Sequence, residues 1–90
     1  MTAKRVGEIT HYYNRISVAV IDCTDTIRSG DSLHIFGRLT DLHQKVASME
    51  IEHEKVGEVG PGQEVALKVD RPVRRGDKVF KLVDEEVAQT

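Results

Sequence analysis

The chain has 90 residues, 39% hydrophobic and 31% charged, with a formal net charge of −2. That composition excludes a disordered chain, a membrane-embedded one and a strongly basic nucleic-acid binder of the histone kind, while leaving room for a local basic face. At this length one domain is expected, burying roughly 60% of the unfolded chain's surface.

In chain order, residues 5–13 are rich in strand formers (Val6, Ile9, Thr10, Tyr12, Tyr13), and Gly7 within them predicts a bulge or a close backbone approach. The same N-terminal stretch is charged and has no apolar run, so no signal peptide is predicted. Asn14-Arg15 reads as a tight turn. Ile16 to Ile21 is the clearest strand, with Ile16, Val18 and Val20 on one face and Ser17, Ala19 and Ile21 on the other. Its longest apolar run, Val18 to Ile21, is far short of the ~20 residues of a membrane helix. The unpaired Cys23 fits a reducing compartment, so cytoplasm is the expected location.

Leu33 and Ile35 line one side of a third strand, and the chain then turns between Gly37 and Leu42 with Thr40-Asp41 at the apex. From Gln44 to Lys55 period-two alternation outweighs helix-favouring composition, predicting one long strand. Ala47, Met49, Ile51 and His53 face in, and Ser48, Glu50, Glu52 and Glu54 face out. Val65, Leu67 and Val69 form the inner row of a fifth strand. In the last strand, 78–83, Phe80 and Leu82 are expected inside. The tail, 84–90, is expected to fray or form a short helix.

Three of the connections share one phrase: apolar, two residues, Gly, acid or amide, one residue, apolar. They are Ile27 to Leu33, Val59 to Val65 and Val73 to Val79. In each, the first apolar residue drops into the core and the Gly takes a positive φ. Asp or Gln tolerates the turn, and the last apolar residue opens a strand. Three such corners in so short a chain predict a compact antiparallel barrel.

No catalytic constellation is visible. His11, His34, His43 and His53 lack His-x-x-x-His spacing and a cysteine pair, so no metal site is predicted, although strand neighbours can still bring two of them together. Cys23 reads as an inert thiol near a strand end. Glu50, Glu52 and Glu54 read as a solvated outer row. The basic residues Arg71, Arg74, Arg75 and Lys78 surround the third corner, and Arg28 occupies the matching place in the first. If the corners share one end, they form a positive patch. Tyr12 and Tyr13 offer rings for stacking on unpaired bases, and Arg15 a cation for phosphate; alternation predicts that the two tyrosines split between core and solvent.

The opening Val6-Gly7-x-Ile9-Thr10, the hairpin, the strand Ile16-x-Val18-Ala19-Val20 and the three corners, in this order, resemble the second, β-barrel domain of translational GTPases such as elongation factor Tu, over Val6 to Val83. A closer likeness is to the small C-terminal barrel of collagenase-like peptidase-family proteins, a group that includes bacterial proteins implicated in tRNA hydroxylation. It is carried by Thr10-His11-Tyr12-Tyr13-Asn14 and by Val46 to His53. The resemblance implies an all-β fold, a six-stranded closed Greek-key barrel of the translation-factor domain-2 type over residues 1–83. It also implies that Glu50 stands where the elongation factor holds a glutamate near the terminal adenosine of tRNA, while Glu64 replaces that family's asparagine.

No Gly-x-x-x-x-Gly-Lys-Ser/Thr loop is present, so no GTP site is expected. The expected function is that of a stand-alone, non-catalytic module binding tRNA or other RNA, or associated with translation. The alternative is an accessory subunit that docks on a separately encoded catalytic protein. No cofactor and no membrane association are predicted.

Overall fold

The corners explain most of the architecture. In the computed structural model, which describes residues 2–83, Gly30, Gly62 and Gly76 hold φ of 90°, 85° and 94°. This left-handed region penalises any side chain with a Cβ. In each corner the following acid or amide folds back onto the backbone. Asp31 Oδ2 accepts from Arg28 N–H, Gln63 Oε1 from Gly60 N–H and Asp77 Oδ2 from Arg74 N–H, each at 2.8 Å. Both flanking apolar residues are buried in all three corners: Ile27 with Leu33, Val59 with Val65, and Val73 with Val79.

Each corner is also clamped onto one buried residue elsewhere by a pair of backbone hydrogen bonds. The Gly30 N–H donates to Val46 O at 2.9 Å, and the Val46 N–H returns to Asp31 O at 2.8 Å. Gly62 and Gln63 hold Cys23 in the same way at 2.8 and 2.9 Å, and Gly76 and Asp77 hold Ile9 at 2.8 and 2.8 Å. The repeated phrase is thus a turn that satisfies its own backbone groups and closes onto the core.

Among the described residues ten strands result: β1 (Thr2–Tyr13), β2 (Val18–Cys23), β3 (Ile27–Arg28), β4 (Ser32–Phe36), β5 (Asp41–Lys45), β6 (Met49–Ile51), β7 (Glu54–Val56), β8 (Glu58–Val59), β9 (Glu64–Lys68) and β10 (Lys78–Val83). All pairings are antiparallel. The main sheet runs β5-β4-β10-β1-β2-β9-β6-β7, and β3 pairs with β8 separately. The expected six-stranded closed barrel is therefore not what the hydrogen bonding shows: the main sheet has eight strands and two ends. The ends are tied differently. The chain passes from β5 to β6 through residues 46–48, and the Gln44 side chain spans the seam. Its Nε2 donates to Lys68 O at 3.0 Å and its Oε1 accepts from Asp70 N–H at 2.8 Å.

Strand phase departs from the sequence pattern in four places. The turn after β1 takes four residues, Asn14 to Ser17, with Ser17 at φ 57°. Strand β2 therefore begins at Val18, and Ile16 is expelled to 56% exposure. The β4–β5 turn closes between Gly37 and Thr40, placing Arg38-Leu39 at the apex and Asp41 in a strand. The expected long strand over 44–55 is two strands and a hairpin. Val46 points inward and Ala47 outward, so the phase slips before β6, and Glu52-His53 forms a two-residue turn with both residues at positive φ. Met49 alone of the expected inner row is fully buried, and His53 is exposed at the hairpin tip.

In β10 the inner row is the one containing Val79, which is fully buried, while Phe80 is half-buried on the outside. Lys81 tolerates the inner row because its amine leaves the core at the end of the strand. It donates to Thr26 O at 2.9 Å and lies 3.7 Å from Asp31.

Gly7 behaves as expected. The β1–β10 register shifts between Arg5 and Gly7, and a Cβ at this position would approach Ile21 Cγ2 to 2.6 Å and Asp22 O to 2.8 Å. A single core cluster joins both sheets, built on Val6, Ile9, Ile21, Ile27, Leu33, Ile35, Leu67 and Val79. Among the described residues there is no helix, hence none long and apolar enough to cross a membrane. The expected tail, 84–90, lies outside the described residues.

Candidate nucleic-acid interface

Register divides the molecule into two ends. Strand β4 pairs with β10 so that Phe36 faces Lys78 and Leu33 faces Lys81. The third corner therefore lies at the C-terminal end of β4 and the first at its N-terminal end, a strand of ~16 Å away. One end gathers the β1–β2 hairpin, the β4–β5 turn and the β9–β10 connection; we call it the hairpin end. The other gathers the first two corners, joined through β3 and β8.

Of the nine candidate residues, the hairpin end collects Tyr12, Tyr13, Arg15, Arg71, Arg74, Arg75 and Lys78. Arg28 lies at the opposite end, where its Nε sits 3.3 Å from Glu58, so the first and third corners do not form a single patch. Glu50 lies on the side of the sheet, paired with Ala66 of β9.

Three concavities adjoin at the hairpin end. A groove of about 550 Å³ is lined by Tyr12, Asn14, Ser17, Leu39, Thr40 and residues 70–74. It shares Tyr12 and Asn14 with a smaller hollow of about 270 Å³ over the hairpin itself. That hollow in turn shares Tyr13 and Ile16 with a concavity of about 500 Å³, which runs to Ser48, Glu50, His53 and Lys68. Beyond the hollow they share, Tyr12 reaches the groove and Tyr13 the larger concavity, because successive strand residues point to opposite faces. Tyr12 packs against the core and shows its edge in the groove, whereas Tyr13 is 49% exposed and lies against His11 with ring centroids 4.3 Å apart.

The charges differ between the ends. Around the first corner, Lys4 pairs with Asp25 at 2.7 Å, Arg28 with Glu58, and Lys81 with Asp31. The Lys4 amine and the Thr26 N–H beside Asp25 hold its carboxyl below the ordinary aspartate range. At the hairpin end, Arg15, Arg71, Arg74 and Arg75 are exposed and form no ion pair among the described residues. Lys78 differs from these: its amine donates to Glu8 at 3.0 Å, and together with Arg5 it lowers the Glu8 pKa.

The same geometry limits the chemistry. Cys23 is buried at 1% exposure, and burial, with the nearby Asp22 charge, pushes its thiol up to about 11. It is protonated at neutral pH and is a poor nucleophile. Glu50, Glu52 and Glu64 line one concavity of about 540 Å³ on the side of the sheet, which is therefore acidic. Strand pairing does bring two of the four histidines together, His34 and His43.

Several lining residues carry no sequence signal. Leu39 and Thr40 belong to a turn whose apex is displaced by two residues, and Ile16 reads as a core strand residue until the turn widens. Asp70 is fixed by the Gln44 amide from β5. Asn14 was recognisable as a turn former but not as a groove residue.

No protein-family model matches the chain. Its sequence is 33% identical over 78 residues to an uncharacterized protease of Methanocaldococcus jannaschii, a match covering 86% of this chain and 19% of that protein. The chain thus spans about a fifth of the length of the relative it matches. Among solved structures, it superposes on the C-terminal domain of a putative U32 peptidase of Geobacillus thermoleovorans with a TM-score of 0.83 at 22% identity, covering 89% of this chain and 93% of that one. The selenomethionine variant of the same domain gives a TM-score of 0.80 at 22% identity, covering 84% and 96%. The fold is that of the C-terminal domain of this putative U32 peptidase.

Proposed function

We propose that the chain is a non-catalytic accessory β-domain that binds RNA, tRNA foremost, along the concavities of its hairpin end. The observation that carries this reading is the co-location of aromatic side chains with guanidinium groups that form no ion pair among the described residues. Arg71 and Arg74 line the same groove as Tyr12, and Tyr13 and Arg15 line the hollow that continues it. Guanidinium forks suit phosphate oxygens, and accessible rings suit splayed bases. Arg75 lies beside Arg74 on the third corner, and Lys78 adds its field from the first residues of β10. Glu50 closes the path at its far end and accepts a hydrogen bond from a ribose hydroxyl or base amine, the role that the sequence resemblance to the elongation factor implies for it. The likeness to a C-terminal domain of a larger peptidase supports the accessory role.

The test is a titration of labelled tRNA into the protein at two salt concentrations. Binding through several phosphate contacts falls by powers of ten between low and physiological salt. Tyr13→Ala weakens it by ~1–3 kcal/mol if that ring stacks on a base. No binding at low salt overturns the reading.

One observation favours the accessory-subunit alternative. Tyr13, Ile16 and Leu39 are exposed large apolar side chains at this same end, at 49%, 56% and 72%, and such residues suit a protein interface. On that reading the partner is a separately encoded catalytic protein, and affinity follows Ile16 and Leu39 rather than salt.

A further inference from the structure

His34 and His43 are direct partners across the β4–β5 ladder. Their rings stack with centroids 3.9 Å apart and planes 15° from parallel. Both Nε2 atoms lie near one oxygen: Asp41 Oδ1 is 2.7 Å from His34 Nε2, a hydrogen bond, and 3.7 Å from His43 Nε2. Asp41 and His43 are two residues apart on β5 and therefore share its outer face. One ligand atom from each of the three residues falls within 4.8 Å of the others.

From this convergence we infer that His34, His43 and Asp41 bind a divalent transition-metal ion of the zinc type on the outer face of β4 and β5. Two imidazole nitrogens and a carboxylate are a borderline donor set matching zinc, nickel or copper rather than magnesium or calcium. Tetrahedral coordination with bonds of ~2.0–2.1 Å requires donor atoms roughly 3.3 Å apart. The observed 2.7 and 3.7 Å separations to Asp41 bracket that value and all three donor atoms lie within 4.8 Å, so the ion is admitted once the two rings turn out of their stack and aim both lone pairs at it. Three protein ligands leave a fourth position for water or an exogenous donor.

The surroundings support a built site rather than a chance meeting of exposed side chains. Among the three, His34 has the least exposed side chain, at 23%. Its ring is flanked by Phe36 at 5.5 Å and Phe80 at 6.4 Å, while His43 covers another side. These neighbouring rings and the Asp41 hydrogen bond restrain the His34 ring before any ion arrives. The two strands hold the histidines in register, so little chain entropy is lost on binding. The four histidines lack a ligand spacing in sequence because the strand pairing, not the sequence interval, supplies it.

The experiment uses the full chain without an affinity tag, stripped with chelator. Zn²⁺ is titrated calorimetrically, melting temperature is followed with Zn²⁺ or Mg²⁺, and Co²⁺ serves as the spectroscopic probe. The expected result is one equivalent of Zn²⁺ bound, a melting temperature raised by Zn²⁺ and not by Mg²⁺, and the intense visible bands of four-coordinate Co²⁺. His43→Ala and Asp41→Asn, both at exposed positions, retain the metal-free melting temperature and lose at least tenfold in affinity, whereas His11→Ala binds as the wild type does. Absence of saturable Zn²⁺ binding, or equal binding by His43→Ala and Asp41→Asn, overturns the inference.

Discussion

The two ends of the molecule treat their charges in opposite ways. Around the first corner three cations have acidic partners: Lys4 has Asp25, Arg28 has Glu58, and Lys81 has Asp31. At the hairpin end Arg15, Arg71, Arg74 and Arg75 have none among the described residues. The same corner motif stands at both ends, with an arginine right after its first apolar residue in Ile27-Arg28 and Val73-Arg74. The motif therefore does not decide the fate of its arginine. What decides it is the neighbour: β8 places Glu58 opposite Arg28, while the third corner borders the groove. One end uses its charges for internal structure, and the other presents them to solvent.

Substitutions can break this contrast, starting with the largest expected effect. A Cβ on Gly37 would collide with the Asp77 carboxylate, which is buried at 4% exposure and holds the Arg74 N–H. Gly37→Ala should cost about 3 kcal/mol, the upper end of the range for overpacking, and should loosen the corner that displays Arg74. A denaturant melt measures the cost; a loss below ~1 kcal/mol would show that Asp77 moves aside freely.

At the paired end, Lys81→Met keeps the apolar stem and removes the amine that serves Thr26 O and Asp31. The expected loss is about 1–3 kcal/mol, in line with hydrogen bonds to charged groups. RNA affinity should not change, because the residue lies away from the groove. A parallel loss of affinity would mean that the ends are coupled.

Gly30→Ala and Gly76→Ala come next. A Cβ meets nothing within 4 Å at either site, so the cost is conformational alone, ~1 kcal/mol or more. Equal costs at the two ends would confirm that the corners are structurally equivalent whatever their arginines do. Unchanged melting temperatures would contradict the clamp.

The smallest effect concerns pH. Asp25 and Glu8 have lowered folded-state pKa values, Asp25 chiefly through the hydrogen bond from Lys4 and Glu8 chiefly through that from Lys78. A depressed carboxyl pKa means that the unfolded state binds more protons in acid. Its stabilisation is present above the ordinary carboxyl range and is lost as pH falls through the folded value. Asp25→Asn and Glu8→Gln should flatten the acid limb of a stability–pH curve, each modestly because both carboxylates are partly open to solvent.

The corners were readable in the sequence because each carries its determinants locally: a glycine for the positive φ, a side-chain acceptor for the backbone, and two apolar anchors. The strands between them were less so. The outer and inner rows of 78–83 are nearly equal in hydropathy, and only the Thr26 carbonyl, distant in sequence, explains why Lys81 sits on the inner one. The slip at Val46 exists because the first corner clamps that residue, a long-range constraint with no local trace. The turn at Glu52-His53 lacks the Asn-Gly signal that would have revealed it. The individual basic and aromatic candidates were visible, but not their grouping: Tyr12 and Arg74 are 62 positions apart in the chain and meet only through the fold. The pairing of His34 with His43 is hidden for the same reason.

The central claim is that the unpaired cations of the hairpin end bind RNA while those of the opposite end do not. It is tested most directly by comparing two charge reversals of similar chemistry, Arg71→Glu with Arg74→Glu against Arg28→Glu, in a titration of labelled tRNA at low and physiological salt. The account predicts that the double reversal at the hairpin end abolishes binding and leaves the melting temperature unchanged. Arg28→Glu should retain wild-type affinity and salt slope while losing a few tenths of a kcal/mol of stability or less, as exposed ion pairs do. Equal affinity for the wild type and the Arg71/Arg74 reversal, or a matching loss in Arg28→Glu, would contradict it.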